Sequence, residues 1–363
     1  MGRGLSAAVV IAIVLLTVAA PASGRGSTPI CDGKWREYPS NLGAPGNALL
    51  GAEVINTHDA WAVGYQQQGR ARQPLIERWN GTDWGAIQAP SVDKGSARLA
   101  DVDAITASDA WAVGRTNHGG SLGTFVAHWE GSAWSRMPAP SPPQSELNSV
   151  SMAASGDVWA VGTEAVTGRV ETLAEHWDGT QWSVVPTPDP GARSAGLLSV
   201  SATSGTFAIA VGSRAAGNGS LTLVEQWDGT SWNWVQPSSS GILRGVWALK
   251  GIEAWAAGPP ALHWDAGTWS DTTLPVGPVS LYGVSGRSAT GVWAVGSRPG
   301  GAGASTATIL RWNGDAWLKT PKVPSPGAGK NELLGVAASE PFVWTVGYTT
   351  EGAFQEAFIL GVC

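Results

Sequence analysis

Apolar residues come in short runs along this chain, some alternating with polar residues and some unbroken, and the runs are bounded by Gly, Asp, Ser and Pro. The clearest set is Asp157-Val158-Trp159-Ala160-Val161-Gly162, with residues 147–152 before it and LAEHWDGTQW over 173–182 after it. Short alternating or solid apolar stretches rich in Val and Trp predict strands, and no stretch keeps a helical period over about ten residues. Each unit therefore reads as four strands. In the fourth unit these are an inner strand over 198–201, the strand of the WAVG type around Ile209, a third ending at Trp227 and an outer one opened by Trp232. Trp-Asp-Gly-Thr-x-Trp joins the last two, where Asp-Gly or Asn-Gly supplies the positive φ of a tight hairpin. Asn80-Gly81, Asp178-Gly179, Asp228-Gly229 and Asn313-Gly314 fit, and Glu130-Gly131 fits more loosely.

The unit recurs at Trp61, Trp111, Trp159, Ile209, Trp255, Trp293 and Trp344, with spacings of 50, 48, 50, 46, 38 and 51 residues. Periods of this size indicate a propeller or a solenoid, and four strands per repeat select the propeller. The expected fold is all-β, a seven-bladed β-propeller of four-stranded antiparallel blades. The last copy stops at Phe358-Ile359-Leu360-Gly361-Val362-Cys363, a third strand with no fourth. The missing strand is at the other end, where residues 31–39 match the hairpin and outer strand of other copies with one turn residue deleted. The N-terminal strand is thus expected to complete the seventh blade and remove an open sheet edge. Cys31 and Cys363, the only cysteines, fall on either side of that cut hairpin, so a disulfide is expected between them, stabilising by roughly 5 kcal/mol at most.

Ahead of the repeats, a short basic start, an apolar run over 7–20 and Ala20-Pro21-Ala22 have the form of a secretory signal peptide over 1–24. The run is short for a membrane span. The expectation is a secreted, monomeric domain over 25–363, in keeping with a disulfide. Net charge is −6 with no basic block, which argues against a nucleic-acid partner.

Of the 21 tryptophans, all but Trp234 and Trp247 occupy one of three repeat positions. They serve either as packing in the wedges between blades or, at the hairpins, as aromatic platforms for sugars. The departures from the pattern make Trp234 and Trp247 candidates for a specific contact. Binding residues are sought in the connections between second and third strands, which vary from copy to copy: 65–73, 115–122, 163–171, 213–220, 258–261, 297–305 and 348–356. The fifth is shortened to Gly258-Pro259-Pro260 and should leave a notch. Tyr65, Arg70, Arg72, Arg115, His118, Glu164, Arg169, Arg214, Arg298 and Glu351 are the chemically useful side chains there, and the arginines suit carboxylates of a partner.

No zinc-protease motif, phosphate-cradling loop or Cys/His nucleophile pair occurs. His128, His176 and His263, and likewise Glu77, Glu175 and Glu225, repeat a strand position and so stand blades apart. Glu53, Asp101 and Asp103 on inner strands are the weak candidates for a carboxylate pair or a Ca²⁺ site. No cofactor is expected. DVWAVG followed by LxEHWDGTxW over 31–363 resembles the repeats of exported bacterial β-propellers, and is distantly similar to kelch and galactose-oxidase central domains. The paired glycines of kelch strands and the leading serine of sialidase Asp boxes are missing, so the resemblance carries the fold and no active site. The expected function is a non-catalytic scaffold recognising polysaccharide or extracellular protein through the variable face. The alternatives are a carbohydrate-active hydrolase or lyase and a structural envelope or matrix protein.

Overall fold

The computed structural model describes residues 31–40, 46–92, 94–235 and 239–363. The expected signal peptide lies outside them. Seven four-stranded antiparallel sheets follow one another around a ring. Their inner strands are Asn47–Asn56, Ser96–Thr106, Glu146–Ala154, Ala195–Ser204, Gly245–Leu249, Ser280–Gly286 and Asn331–Ser339, which number the blades one to seven. Blade seven takes its outer strand, Arg36–Tyr38, from the N-terminus, with Arg36, Glu37 and Tyr38 opposite Gly361, Leu360 and Ile359. Cys31 and Cys363 are joined across 332 residues with Cα atoms 4.7 Å apart, so the ring is closed both by strand pairing and by a covalent bond. No helix among the described residues is long and apolar enough to cross a membrane.

One expectation is corrected. The variable segments between second and third strands are not loops in most blades. Asp59–Gln68 runs into Ala71–Trp79, and Asp109–His118 into Ser121–Trp129, through two-residue turns, and the pairing continues out to Gln68↔Ala71 and His118↔Ser121. Backbone hydrogen bonds carry these polar ends as strands, since a ladder requires no apolar side chain where both faces rise clear of the neighbouring blades. Blades five and six are the exceptions, the first with its hairpin reduced to 258–260 between Glu253–Ala257 and Ala261–Asp265, the second with residues 300–304 between Val292–Pro299 and Ser305–Trp312.

Tryptophan fills the wedges. Those at the WAVG position are buried in every blade that has one, and the hairpin tryptophans Trp79, Trp84, Trp129, Trp134, Trp182, Trp232 and Trp317 are buried as well. Trp159 meets Trp227 and Trp232 of the next blade at 4.7 and 5.0 Å, and Trp344 meets Trp79 and Trp84 of blade one at 4.9 and 5.3 Å. Burial of one such ring contributes about 2 to 3 kcal/mol. These rings are packing and not sugar platforms. Trp234, at 37% exposure, is the tryptophan most open to solvent.

In six of the seven blades a WAVG tryptophan is present, and in all of these but blade seven, where Gly361 stands opposite Trp344, the strand-three residue opposite it completes a stack. His128 lies 4.1 Å above Trp111 and pairs with Asp109 at 2.8 Å, and His176 lies 4.3 Å from Trp159 and pairs with Asp157 at 2.8 Å. His263 does the same with Trp255 and Glu253, and Arg78 with Trp61 and Asp59. The acid that opens DVWAVG thus holds the cap on the tryptophan. In blade four, where Ile209 replaces the tryptophan, the acid and the histidine are also gone, replaced by Phe207 and Gln226.

Candidate functional site

All seven inner strands line a central channel of about 320 Å³. Six of them carry a register shift, at Leu49/Gly51, Leu99/Asp101, Leu147/Ser149, Leu197/Ser199, Leu281/Gly283 and Leu333/Gly335. The shift re-aims the extra residue, a usual effect of a bulge, so that Leu50, Ala100, Asn148, Leu198, Tyr282 and Leu334 line the channel together with Arg244.

Below that ring, polar side chains latch blade two to three, three to four, four to five and six to seven. The Val150 N–H donates to Asp101 Oδ2 at 3.1 Å and the Met152 N–H to Asp103 Oδ2 at 2.7 Å. Ser149 and Ser151 then accept from Val200 and Ala202, and Ser199 and Ser201 from Val246 and Ala248. Glu53, Asp101 and Asp103 therefore do converge on the channel wall. Burial pushes the Asp101 carboxyl up to about 7 against the hydrogen bonds from Ser149, Val150 and Val102, and raises Asp103 as well. Glu53 is raised well above the ordinary carboxylate range by burial and then by Asp103. Two of the three acids are committed to the backbone of blade three, and among the described residues no three His, Cys, Asp or Glu side chains are placed to hold a metal ion. Trp247 faces the same channel, its ring 5.5 Å from Trp255 and laid where a Cβ on Gly286 would stand, 2.7 Å from the ring.

At the start of the inner strands, on the face that carries the long hairpins, arginine and tyrosine gather. Arg98 and Arg115 are directly opposite in the register of blade two. Both reach Glu146 Oε2 of blade three, at 3.3 and 2.7 Å. Arg72 of blade one stacks on Tyr65 at 4.1 Å. Arg98 has its charge disfavoured by burial and then by Arg115, with a smaller contribution from Arg72. The Tyr65 hydroxyl donates to the Gln355 side chain. Arg244 stands over Tyr282 at 5.4 Å, and the Tyr348 hydroxyl donates to Glu332 at 2.7 Å.

The other expected residues do not join this group. Arg70 and Arg169 are exposed at turns of blades one and three, Arg169 lying 3.9 Å from Asp189. His118 is exposed with Nδ1 3.3 Å from the Lys94 carbonyl. Arg214 covers Trp234 at 4.9 Å on blade four, and Arg298 belongs to blade six. Arg98, Glu146, Arg244, Tyr282, Tyr348 and Glu332 were not expected. The signal for Arg98 was available, because aligning Leu99 with Gly114 in the hairpin sets Arg98 against Arg115.

No family model and no curated protein matches this chain. Among solved structures, YCF48 bound to a D1 peptide is similar at TM-score 0.59 and 16% identity, over 93% of this chain and 100% of that one. The WD40 β-propeller domain of Doa1 is similar at TM-score 0.58 and 11% identity, over 89% of this chain and 96% of that one. These likenesses support the β-propeller. Neither is a kelch or galactose-oxidase domain, so the finer resemblance gains nothing from them.

Proposed function

We propose that this chain is a secreted, non-catalytic scaffold that binds a protein partner on the hairpin face, around the mouth of the channel. The observation that carries the reading is compositional and spatial together. The chain has four tyrosines in all; Tyr282 and Tyr348 stand half-buried at or beside the starts of inner strands with Arg72, Arg98, Arg115 and Arg244, and Tyr65 lies buried beneath Arg72. Tyrosine and arginine are the side chains that dominate binding energy at protein interfaces. A propeller of similar fold is described as bound to a peptide, which agrees with this use of the fold. The burial of most repeat tryptophans leaves few open rings to serve as aromatic platforms for a glycan. The carbohydrate-active alternative needs free carboxylates, whereas Asp101 and Asp103 are used in latching blades.

The test is binding of the disulfide-intact chain to a panel of acidic and neutral peptides and of acidic and neutral polysaccharides. Saturable peptide binding, weakened by Tyr282→Ala and Arg244→Ala and unchanged by Ile105→Ser and Ile252→Ser on the opposite turns, is expected. Binding confined to polysaccharides would overturn the reading.

A further inference from the structure

We infer that Arg98, Arg115 and Arg72 form a seat for an oxyanion, a carboxylate or phosphate carried by the protein partner, and that Glu146 is a resident counter-ion which the ligand displaces. The inference rests on the reading of the hairpin face as a binding surface and adds to it the chemistry of what is bound.

Two guanidinium groups meet there, a third, that of Arg72, lies near enough to disfavour the charge on Arg98, and one carboxylate answers them. Arg98 and Arg115 converge on a single oxygen, Glu146 Oε2. A guanidinium has five donors in a planar fork and pairs best with both oxygens of a carboxylate or phosphate at once. Arg98 Nε is buried and has no hydrogen-bond partner among the described residues, which is a cost a native structure ordinarily avoids. Arg98, Arg115 and Glu146 remain 26, 30 and 23% exposed at their side chains, so the group is reachable from solvent. The local excess of positive charge runs against the chain as a whole, whose net charge is −6.

Glu146 comes from the neighbouring blade and Arg98 and Arg115 from one hairpin, so the resident pairing spans the seam between blades two and three. Placing one anion between two half-buried cations neutralises part of the repulsion in the free protein. An incoming oxyanion competes for the same donors, and it gains the fork geometry that a single shared oxygen leaves unused. Arg72 is stacked on the buried ring of Tyr65, which holds its guanidinium beside the seat.

The experiment is calorimetric titration of the full chain with inorganic phosphate, a hexaglutamate peptide and a phosphoserine peptide, repeated with Arg98→Gln, Arg115→Gln and Glu146→Gln, each checked for folding by thermal melting. The wild type is expected to bind an oxyanion probe more weakly as salt rises. Each arginine variant is expected to lose about tenfold in affinity or more, and Glu146→Gln to gain about tenfold, because the competitor is gone. Phosphate should also raise the melting temperature of Glu146→Gln more than that of wild type. Tighter binding of the hexaglutamate assigns the seat to carboxylate, and tighter binding of the phosphopeptide assigns it to phosphate. Glu146→Gln binding as weakly as the arginine variants would overturn the counter-ion role. A peptide whose binding depends on Tyr282 and not on Arg98 or Arg115 would overturn the seat while leaving the face reading intact. Binding of no peptide at all would remove both.

Discussion

Glu175 stands directly opposite Ala160 in blade three and turns its carboxyl into the seam with blade two, beside Trp177, which packs on Trp111 at 5.0 Å. The carboxyl is fully buried and has no hydrogen-bond partner among the described residues, and Glu77 and Glu225 repeat this in blades one and four. Burial pushes Glu175 and Glu225 up to about 8 and Glu77 to about 7, with Glu164 adding to the effect on Glu175. Below the ordinary carboxylate value of 4.5 both folded and unfolded chains hold these protons, so the groups add no pH-dependent cost. As pH rises from there toward 8, the unfolded chain releases protons that the folded one keeps, and stability falls. The melting temperature should therefore be highest near pH 5 and decline toward pH 8. Glu175→Gln and Glu225→Gln should raise it at pH 8 and flatten the profile. A wild-type profile that climbs with pH over this range would refute the assignment.

The cystine makes a prediction about order of events. A three-residue strand pairs the N-terminus to blade seven, and the disulfide holds its flank to Cys363. Constraining so long a loop is worth about 5 kcal/mol in the chain-entropy account. Cys31→Ser with Cys363→Ser should lower the melting temperature strongly. In hydrogen exchange the first new exposure should appear in Phe354–Val362, the strand that Arg36–Tyr38 covers. Exchange beginning in blade three or four instead would show that closure does not depend on this edge.

The glycine that ends the WAVG motif is a steric requirement. A Cβ on Gly162 would lie 1.9 Å from the Glu146 carbonyl oxygen, and one on Gly64 would lie 2.0 Å from that of Ala48; the same holds in every blade. In the six bulged blades the inner strand is pressed this close immediately before its bulge. Gly162→Ala should cost about 3 kcal/mol or more, at the severe end of single substitutions. Gly219→Ala is the control, with nothing within 4 Å of the added atom and no positive φ. Equal stability of the two variants in denaturant titration would contradict the close approach.

What could be read from the residues, and what could not, divides by range. The seven blades, the borrowed outer strand and the cystine follow from local motifs and their spacing, because a hairpin such as Trp177-Asp178-Gly179-Thr180 states its own geometry. There Asp178 Oδ1 accepts from the Thr180 hydroxyl and then from the Gln181 and Thr180 N–H groups, which holds its carboxyl down to about 2. The role of Asp157 in DVWAVG was hidden, because its partner His176 arrives from another strand. Glu146 was hidden further, since it meets Arg98 across 48 residues and a blade boundary. The outer ends of hairpins such as Tyr65–Gln68 read as loops because their side chains are polar, while what holds them is backbone pairing that side chains do not advertise.

The latches between inner strands give the last prediction. Ser151 Oγ accepts the Ala202 N–H at 3.0 Å and Ser201 Oγ accepts the Ala248 N–H at 3.0 Å, both in buried surroundings. Removing the hydroxyl leaves a buried amide without an acceptor, which costs about 1 to 3 kcal/mol. Ser151→Ala and Ser201→Ala should each destabilise by that amount. Because both latches tie blade four to a neighbour, through different amides, the double variant should lose close to the sum. Where an acid does the same work, as Asp103 does for the Met152 N–H, Asp103→Ser should be tolerated better than Asp103→Ala, since a serine reproduces the acceptor that other blades use. Equal losses for the two would mean that Asp103 acts through its charge and not as a latch, a distinction readable from urea midpoints of the three proteins.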